Sequence, residues 1–307
     1  MSEISIHWKK ITRGLPKSRK YADDRAPTIE EIQQLCKYPD RRIKGIMYTM
    51  ASSGIRLGAW DYLHWKDIQP IELQGKVVAA KIIVYAGDDE EYFSFITPEA
   101  YYELQKWMQY RQDSGEEIHE NSWVMRQLWD TKKGYYHHGT IKNPEKLKSS
   151  GLKRLMEDAL WTQGIRKKSN LKRNRYEFQT DHGFRMWFKT RCEISGMKSI
   201  NIEILMGHSI GISDSYYKIT QDELLMEYLK ASDFLLVSNE NQLQKQYNKI
   251  QIQNQNDFKF IEGKLFEKES EIETLNRNDQ NKSDAIAALA DKIDELVLEI
   301  ERLKKEK

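Results

Sequence analysis

From Ser238 to Lys307 the chain contains no proline and one glycine, Gly263, and is rich in Glu, Lys, Gln and Asn. Proline and glycine are the residues that interrupt helices, so so long a stretch without them points to one continuous helix. Within it Ile286, Leu289, Ile293, Leu296, Ile300 and Leu303 alternate three and four apart. That spacing keeps an apolar seam on one side of a helix, where a second helix can cover it. Isoleucine takes each a position and leucine each d position, the combination that favours a parallel dimer. Run backwards, the register meets Phe258, Ile261, Leu265, Ile272 and Leu275, but puts Lys268, Asp279 and Lys282 into the seam. Pairing is therefore expected to weaken in mid-tail. Glu299 and Lys304 fall at g and e, where they can pair between chains. The alternative is a lone amphipathic helix folding back on the rest of the chain.

The remaining chain is long enough for a sizeable core. Charged residues make up 31% of the 307 and the formal net charge is +2; mean hydropathy is −0.76. This polarity fits a protein with a substantial exposed helix. Cys36 and Cys192 are too few for a disulfide framework. The start, Met1 to His7, lacks a signal-peptide apolar run, and no stretch has the length of a membrane span. A cytoplasmic location is the expectation.

Three zones follow. Residues 1–25 are basic, carry Gly14 and Pro16, and read as a linker. Residues 26–237 form the main domain and 238–307 the tail. The domain opens with Thr28 and Glu31 in the spacing of a capping box. Arg42–Ser52, Tyr101–Tyr110 and Leu152–Trp161 have helical periodicity. Val77–Tyr85 and Tyr92–Thr97 are β-branched and aromatic around the turn-like Gly87-Asp88-Asp89, which predicts a hairpin, joined by a strand within Trp65–Leu73. The expected fold is mainly α with a small antiparallel β-sheet, followed by a coiled-coil helix.

Three separated motifs carry chemistry. The first is Ser53-Gly54-Ile55-Arg56 followed by Leu63-His64-Trp65-Lys66-Asp67-Ile68. The second is Asp181-His182-Gly183-Phe184-Arg185. The third is Leu205-Met206-Gly207-His208, with Tyr216-Tyr217-Lys218 beyond it. Arginine matches phosphate in bidentate fashion, histidine moves protons near neutral pH, and a phenol can hold a phosphoester. Together they offer what phosphodiester transfer without a metal requires.

Over roughly Pro27 to Val237 the chain resembles the tyrosine recombinases, or phage-type integrases, and in texture their archaeal members. That family has G-x-R followed by L-x-W-x-D, then H-x-x-R, then L-G-H with a tyrosine about nine residues beyond. By position the resemblance implies Arg56, His182, Arg185 and His208 around the phosphate and Tyr217 as nucleophile, with Tyr216 the neighbour that packs. It implies a 3′-phosphotyrosyl intermediate, a free 5′-hydroxyl, double-stranded DNA as partner, and no cofactor or metal. Site-specific recombination or integration of a mobile genetic element is the activity implied. The chain departs from the pattern in three ways. Ala59 stands where the family has glutamate. The catalytic lysine's place falls at Gly87 in an acidic turn, leaving Lys81 as the nearest candidate. Only about two dozen residues precede the domain, where the family has a further DNA-clamping domain.

DNA contact has independent support. Lys153, Arg154, Arg166, Lys167, Lys168, Lys172, Arg173 and Arg175 lie in a basic run leading to His182, suited to sequence-tolerant phosphate binding. Assembly is expected to be homo-oligomeric, a dimer through the tail or a tetramer on paired sites. Three readings are thus carried forward: a recombinase, a catalytically impaired DNA-binding relative that works through its coil, and, with less support, a type IB topoisomerase.

Overall fold

The structure is a computed structural model that describes residues 24–128, 145–166, 176–211 and 216–305. Two compact units divide the chain, Met1–Gln242 and Leu243–Lys307.

The first unit is mainly helical around one small sheet, as its apolar spacing predicts. Helix α1 (Ile29–Leu35) starts at Thr28, whose side chain accepts from the Glu31 amide while Glu31 returns a bond to Thr28, completing the expected capping box. Helix α2 (Arg42–Ser53) is buried along almost its whole length and is the axis of the unit. Single 3-10 turns follow at Leu57–Asp61 and Trp65–Asp67. Strands β1 (Ile68–Leu73), β2 (Lys76–Val84) and β3 (Tyr92–Ile96) form an antiparallel sheet in the order β1-β2-β3. Helices α3 (Pro98–Asp113), α4 (Ser149–Thr162), α5 (Thr180–Ile194), α6 (Ser199–Leu205) and α7 (Gln221–Leu235) complete it among the described residues.

Two apolar clusters form the interior. One gathers Ile43, Ile46, Met47, Trp60, Leu104 and Trp107 with the inner faces of α4 and α5. The other joins Phe95, Ile202, Leu205 and Tyr228. Helix α5 serves both, because Phe184 and Trp187 enter the first while Phe188 and Cys192 enter the second. Each such side chain contributes about 1.5–3 kcal/mol on burial, so α5 is held on two sides and its remaining residues have little freedom. Arg185 lies between Phe184 and Phe188 on that helix. Both cysteines are free and buried.

The last helix, α8, runs Asn239–Lys305, and its part in the second unit is one uninterrupted helix from Leu243. Ile286, Leu289, Ile293, Leu296 and Ile300 are all more than half exposed in the single chain. The side chains of Glu299, Leu303 and Lys304 lie outside those described. No described helix is long and apolar enough to cross a membrane.

Candidate functional site

Two glycines bring chain ends to Arg185. Gly54 terminates α2 in the left-handed region at φ 62°, and a β-carbon there would overlap the Phe188 ring. Gly207 terminates α6 at φ 65°, where a β-carbon would overlap the ring of Tyr92. The Gly207 amide bonds to Ile204 and the His208 amide to Glu203, closing the helix with a glycine-centred cap. That cap explains the Gly-His pair. It turns the chain so that the His208 ring faces the Glu203 carboxylate from one turn below.

Arg185 joins these pieces. Its Nη1 donates to the Gly54 carbonyl at 2.6 Å, and Nη2 donates to the Met206 carbonyl at 3.2 Å and lies 2.5 Å from His208 Nε2. Guanidinium nitrogen can only donate, so Nε2 of His208 is the acceptor and its proton sits on Nδ1. Nδ1 in turn bonds to Glu203, which also receives Lys189 Nζ at 2.6 Å. Burial works against the Glu203 charge, but the bonds from Lys189 and His208 outweigh it and hold the carboxyl below its ordinary range. Burial likewise pulls Arg185 below the usual arginine range, with Tyr92 opposing and Arg56 adding repulsion.

Arg56 is the second cation. Its side chain is 40% exposed and stands 3.9 Å from Glu90 of the acidic turn. Two phenols stand by both guanidinium groups. Burial raises the pKa of Tyr85 and of Tyr92, and the charges of Arg56 and Arg185 lower both again. The Tyr92 hydroxyl is buried with no hydrogen-bond partner of good geometry among the described residues. Two cations and an unsatisfied donor beside them make a setting that favours an anion.

The other expected residues fall differently. His182 is exposed on the first turn of α5, one turn before Arg185, with no hydrogen bond among the described residues. Tyr217 is half-buried, and its hydroxyl donates to Asn201 Oδ1 at 2.7 Å. Asn201 is 1% exposed and its Nδ2 has no partner among the described residues. The expectation that Tyr216 packs is corrected, because Tyr216 is 85% exposed. The reason is polar: the buried Asn201 amide offers the Tyr217 phenol a bond, so the second tyrosine is the one tucked in. Lys81 donates to Gln221 at 2.7 Å and lies 5.0 Å from the Phe93 ring centre. None of these contacts is with Arg56, Arg185 or His208.

Of the basic run, Lys153 and Arg154 are exposed on α4. Arg166 is corrected: its side chain is 8% exposed, 3.7 Å from Glu157 and stacked 4.4 Å over Tyr176. A guanidinium already packed against an aromatic face and a carboxylate is turned into the fold rather than outward. Lys167, Lys168, Lys172, Arg173 and Arg175 lie outside the described residues. Sequence reasoning missed Tyr85, Tyr92, Asn201 and Glu203. Only Glu203 carried a usable signal, five residues before His208 across a helix-ending glycine.

No family model and no curated protein matches the chain. Among solved structures it is similar to XerA recombinase, with 19% identity, 69% of this chain, 65% of that one, and a TM-score of 0.43. It is similar to an integrase from mycobacterium phage Brujita, with 15% identity, 73% of this chain, 63% of that one, and a TM-score of 0.47. The Tn1549 transposon integrase in complex with circular intermediate DNA aligns at 16% identity over 69% of this chain and 67% of that one, TM-score 0.40. The chain thus spans less than two thirds of the length of the first two.

Proposed function

We propose that this protein is a tyrosine-type site-specific DNA recombinase that breaks and rejoins DNA through a phosphotyrosyl intermediate. The observation that carries the reading is the corner where Arg56, Arg185, His208 and the buried Tyr92 hydroxyl meet. A phosphodiester placed there takes over the Arg185 bond that His208 Nε2 now accepts. His208, backed by Glu203, then takes a proton from solvent on Nε2 and donates it as a hydrogen bond to a phosphate oxygen. Arg56 and Arg185 stabilise the charge that grows on the non-bridging oxygens. Tyr217 releases Asn201 and attacks phosphorus. The P–O bond to the 5′ side breaks, the phenolic proton passes to His182, and the leaving 5′ oxygen takes a proton from solvent to become the free 5′-hydroxyl. The tyrosyl ester keeps the bond energy, so a 5′-hydroxyl from another strand can reverse the step. The exposed apolar seam of α8 is read as the surface by which two copies pair.

A second reading, a DNA-binding protein without cleavage, is favoured by the Tyr217–Asn201 bond and by Glu90 standing before Arg56. One experiment separates them. A pool of nicked duplexes of randomised sequence is incubated with the protein, and complexes that survive denaturation are collected. The recombinase reading expects adducts from wild type and none from Tyr217→Phe. Adducts that persist in Tyr217→Phe, or none from wild type while the pool is bound, would overturn it.

A further inference from the structure

Beside the arginine corner lies a cleft of about 530 Å3 walled by Asp61, Tyr62, His64, Trp123, Lys146 and Lys148. Its size is that of a small-ligand site. Its walls are anchored from behind. Trp123 and Lys146 sit on two short backbone pairings, His64 with Trp123 and Arg126 with Lys146. A buried triad holds that segment: Arg111 binds the Trp123 carbonyl at 2.7 Å, and both Arg111 and Arg126 bind Glu116. The Trp123 and Lys146 side of the cleft is therefore held in place from behind.

Its chemistry is cationic and aromatic. The His64 ring lies on Trp123 with centroids 3.9 Å apart. Lys146 Nζ stands 4.8 Å from the Trp123 ring and donates to the Asp61 carbonyl at 3.0 Å. Lys148 is exposed at the start of α4. Asp61, the carboxylate in the wall, is committed to that helix start, accepting from the Ser149 amide at 2.8 Å and its hydroxyl at 2.7 Å. Two acids stand close by: Asp88, whose charge raises the Tyr62 phenol, and Asp67, 3.5 Å from His64. Two lysines beside an exposed phenol ring suit a phosphodiester whose sugar lies on that ring.

Tyr62 connects this cleft to the corner. Its ring meets Tyr85 edge-on at 5.3 Å, Tyr85 stands 6.3 Å from Tyr92, and both feel Arg56 and Arg185. We infer that the cleft is a second phosphate subsite. Lys146 and Lys148 hold a DNA backbone phosphate there, with its deoxyribose against the exposed Tyr62 ring. The inference rests on the DNA reading above and adds where the strand runs.

The test uses the full chain and an arbitrary duplex of about 30 base pairs, with affinity measured by fluorescence anisotropy across a salt series. Lys148→Gln is expected to weaken binding several-fold and to lower the salt exponent by about 1, with Lys148→Arg restoring both. Lys106→Gln, an exposed cation on α3 outside the cleft, is expected to leave the exponent unchanged. An unchanged exponent in Lys148→Gln, or an equal fall in Lys106→Gln, overturns the subsite. So does binding of free dTMP that Lys148→Gln abolishes, because the cleft is then a nucleotide pocket. The randomised-pool assay keeps the two proposals apart. Adducts with no Lys148 effect sink the subsite alone, and a Lys148 effect without adducts sinks the recombinase alone.

Discussion

Arg185 and Tyr217 belong to the same proposed reaction but are held in opposite ways. Arg185 is 8% exposed, sits on a helix wedged between two apolar clusters, and bonds to two carbonyl groups and a ring nitrogen. Tyr217 follows a stretch outside the described residues, and among the described residues its hydroxyl bonds to Asn201 alone. The contrast teaches a division of labour. The half proposed to bind phosphate is prebuilt, since a guanidinium in low dielectric must have its partners arranged beforehand. The proposed nucleophile is held by one bond that can be exchanged.

The sharpest way to break this contrast is to compare the two arginines. Arg185→Lys is expected to lower adduct formation by at least a hundredfold and to reduce stability by about 2–4 kcal/mol, because the Gly54 and Met206 carbonyls lose a bidentate partner. Arg56→Lys, at an exposed position, should cost a similar factor in adduct while leaving the thermal midpoint nearly unmoved. Equal loss of stability in both would show that the corner is not prebuilt around Arg185. Adduct yield in the randomised pool and thermal melts read the two quantities.

A smaller effect is expected at the tether. Asn201→Leu removes the partner of the Tyr217 phenol together with a buried amide whose Nδ2 is unsatisfied, so stability should change by no more than about 1 kcal/mol. Adduct formation should rise several-fold if the bond restrains the nucleophile. A fall as deep as that of Tyr217→Phe would mean instead that Asn201 positions the phenol for attack.

The smallest expected effect is in pH. The Glu203 carboxyl titrates lower in the fold than in the unfolded chain. Its contribution to stability is therefore full above the unfolded value, and is lost as pH falls through the lower folded value. Thermal melts between about pH 5 and pH 3 should show a shallower acid decline for Glu203→Gln than for wild type. Identical slopes would remove Glu203 from the support of His208.

Much of the architecture was legible because it depends on local periodicity. The capping box at Thr28, the hairpin strands and the helices around Arg42, Tyr101 and Leu152 appear within a few residues of their expected places. The third strand was expected within Trp65–Leu73, and pairing begins at Ile68, after a 3-10 turn over Trp65–Asp67. Arg56, Arg185 and His208 were grouped in the sequence by three ordered motifs that resemble one family's boxes, and no local repeat shows that Arg185 would bond to the Gly54 carbonyl and the His208 ring. Tyr85 and Tyr92 were not grouped with them. In the strand pattern they read as ordinary β-sheet aromatics, and their closeness to Arg56 and Arg185 depends on how the sheet packs on α2 and α5.

What the linear order of residues determined by itself, then, was the set of elements and the apolar faces that drive them together: 3.6-residue and two-residue repeats are properties of neighbours in the chain. It also determined the heptad seam of the tail, for the same reason. Which phenol would be tucked against Asn201, that Arg166 would turn inward, and that Lys146 would stand over Trp123 were decided only by tertiary packing. Those outcomes turn on burial and on competition among distant polar partners, and no local repeat encodes either.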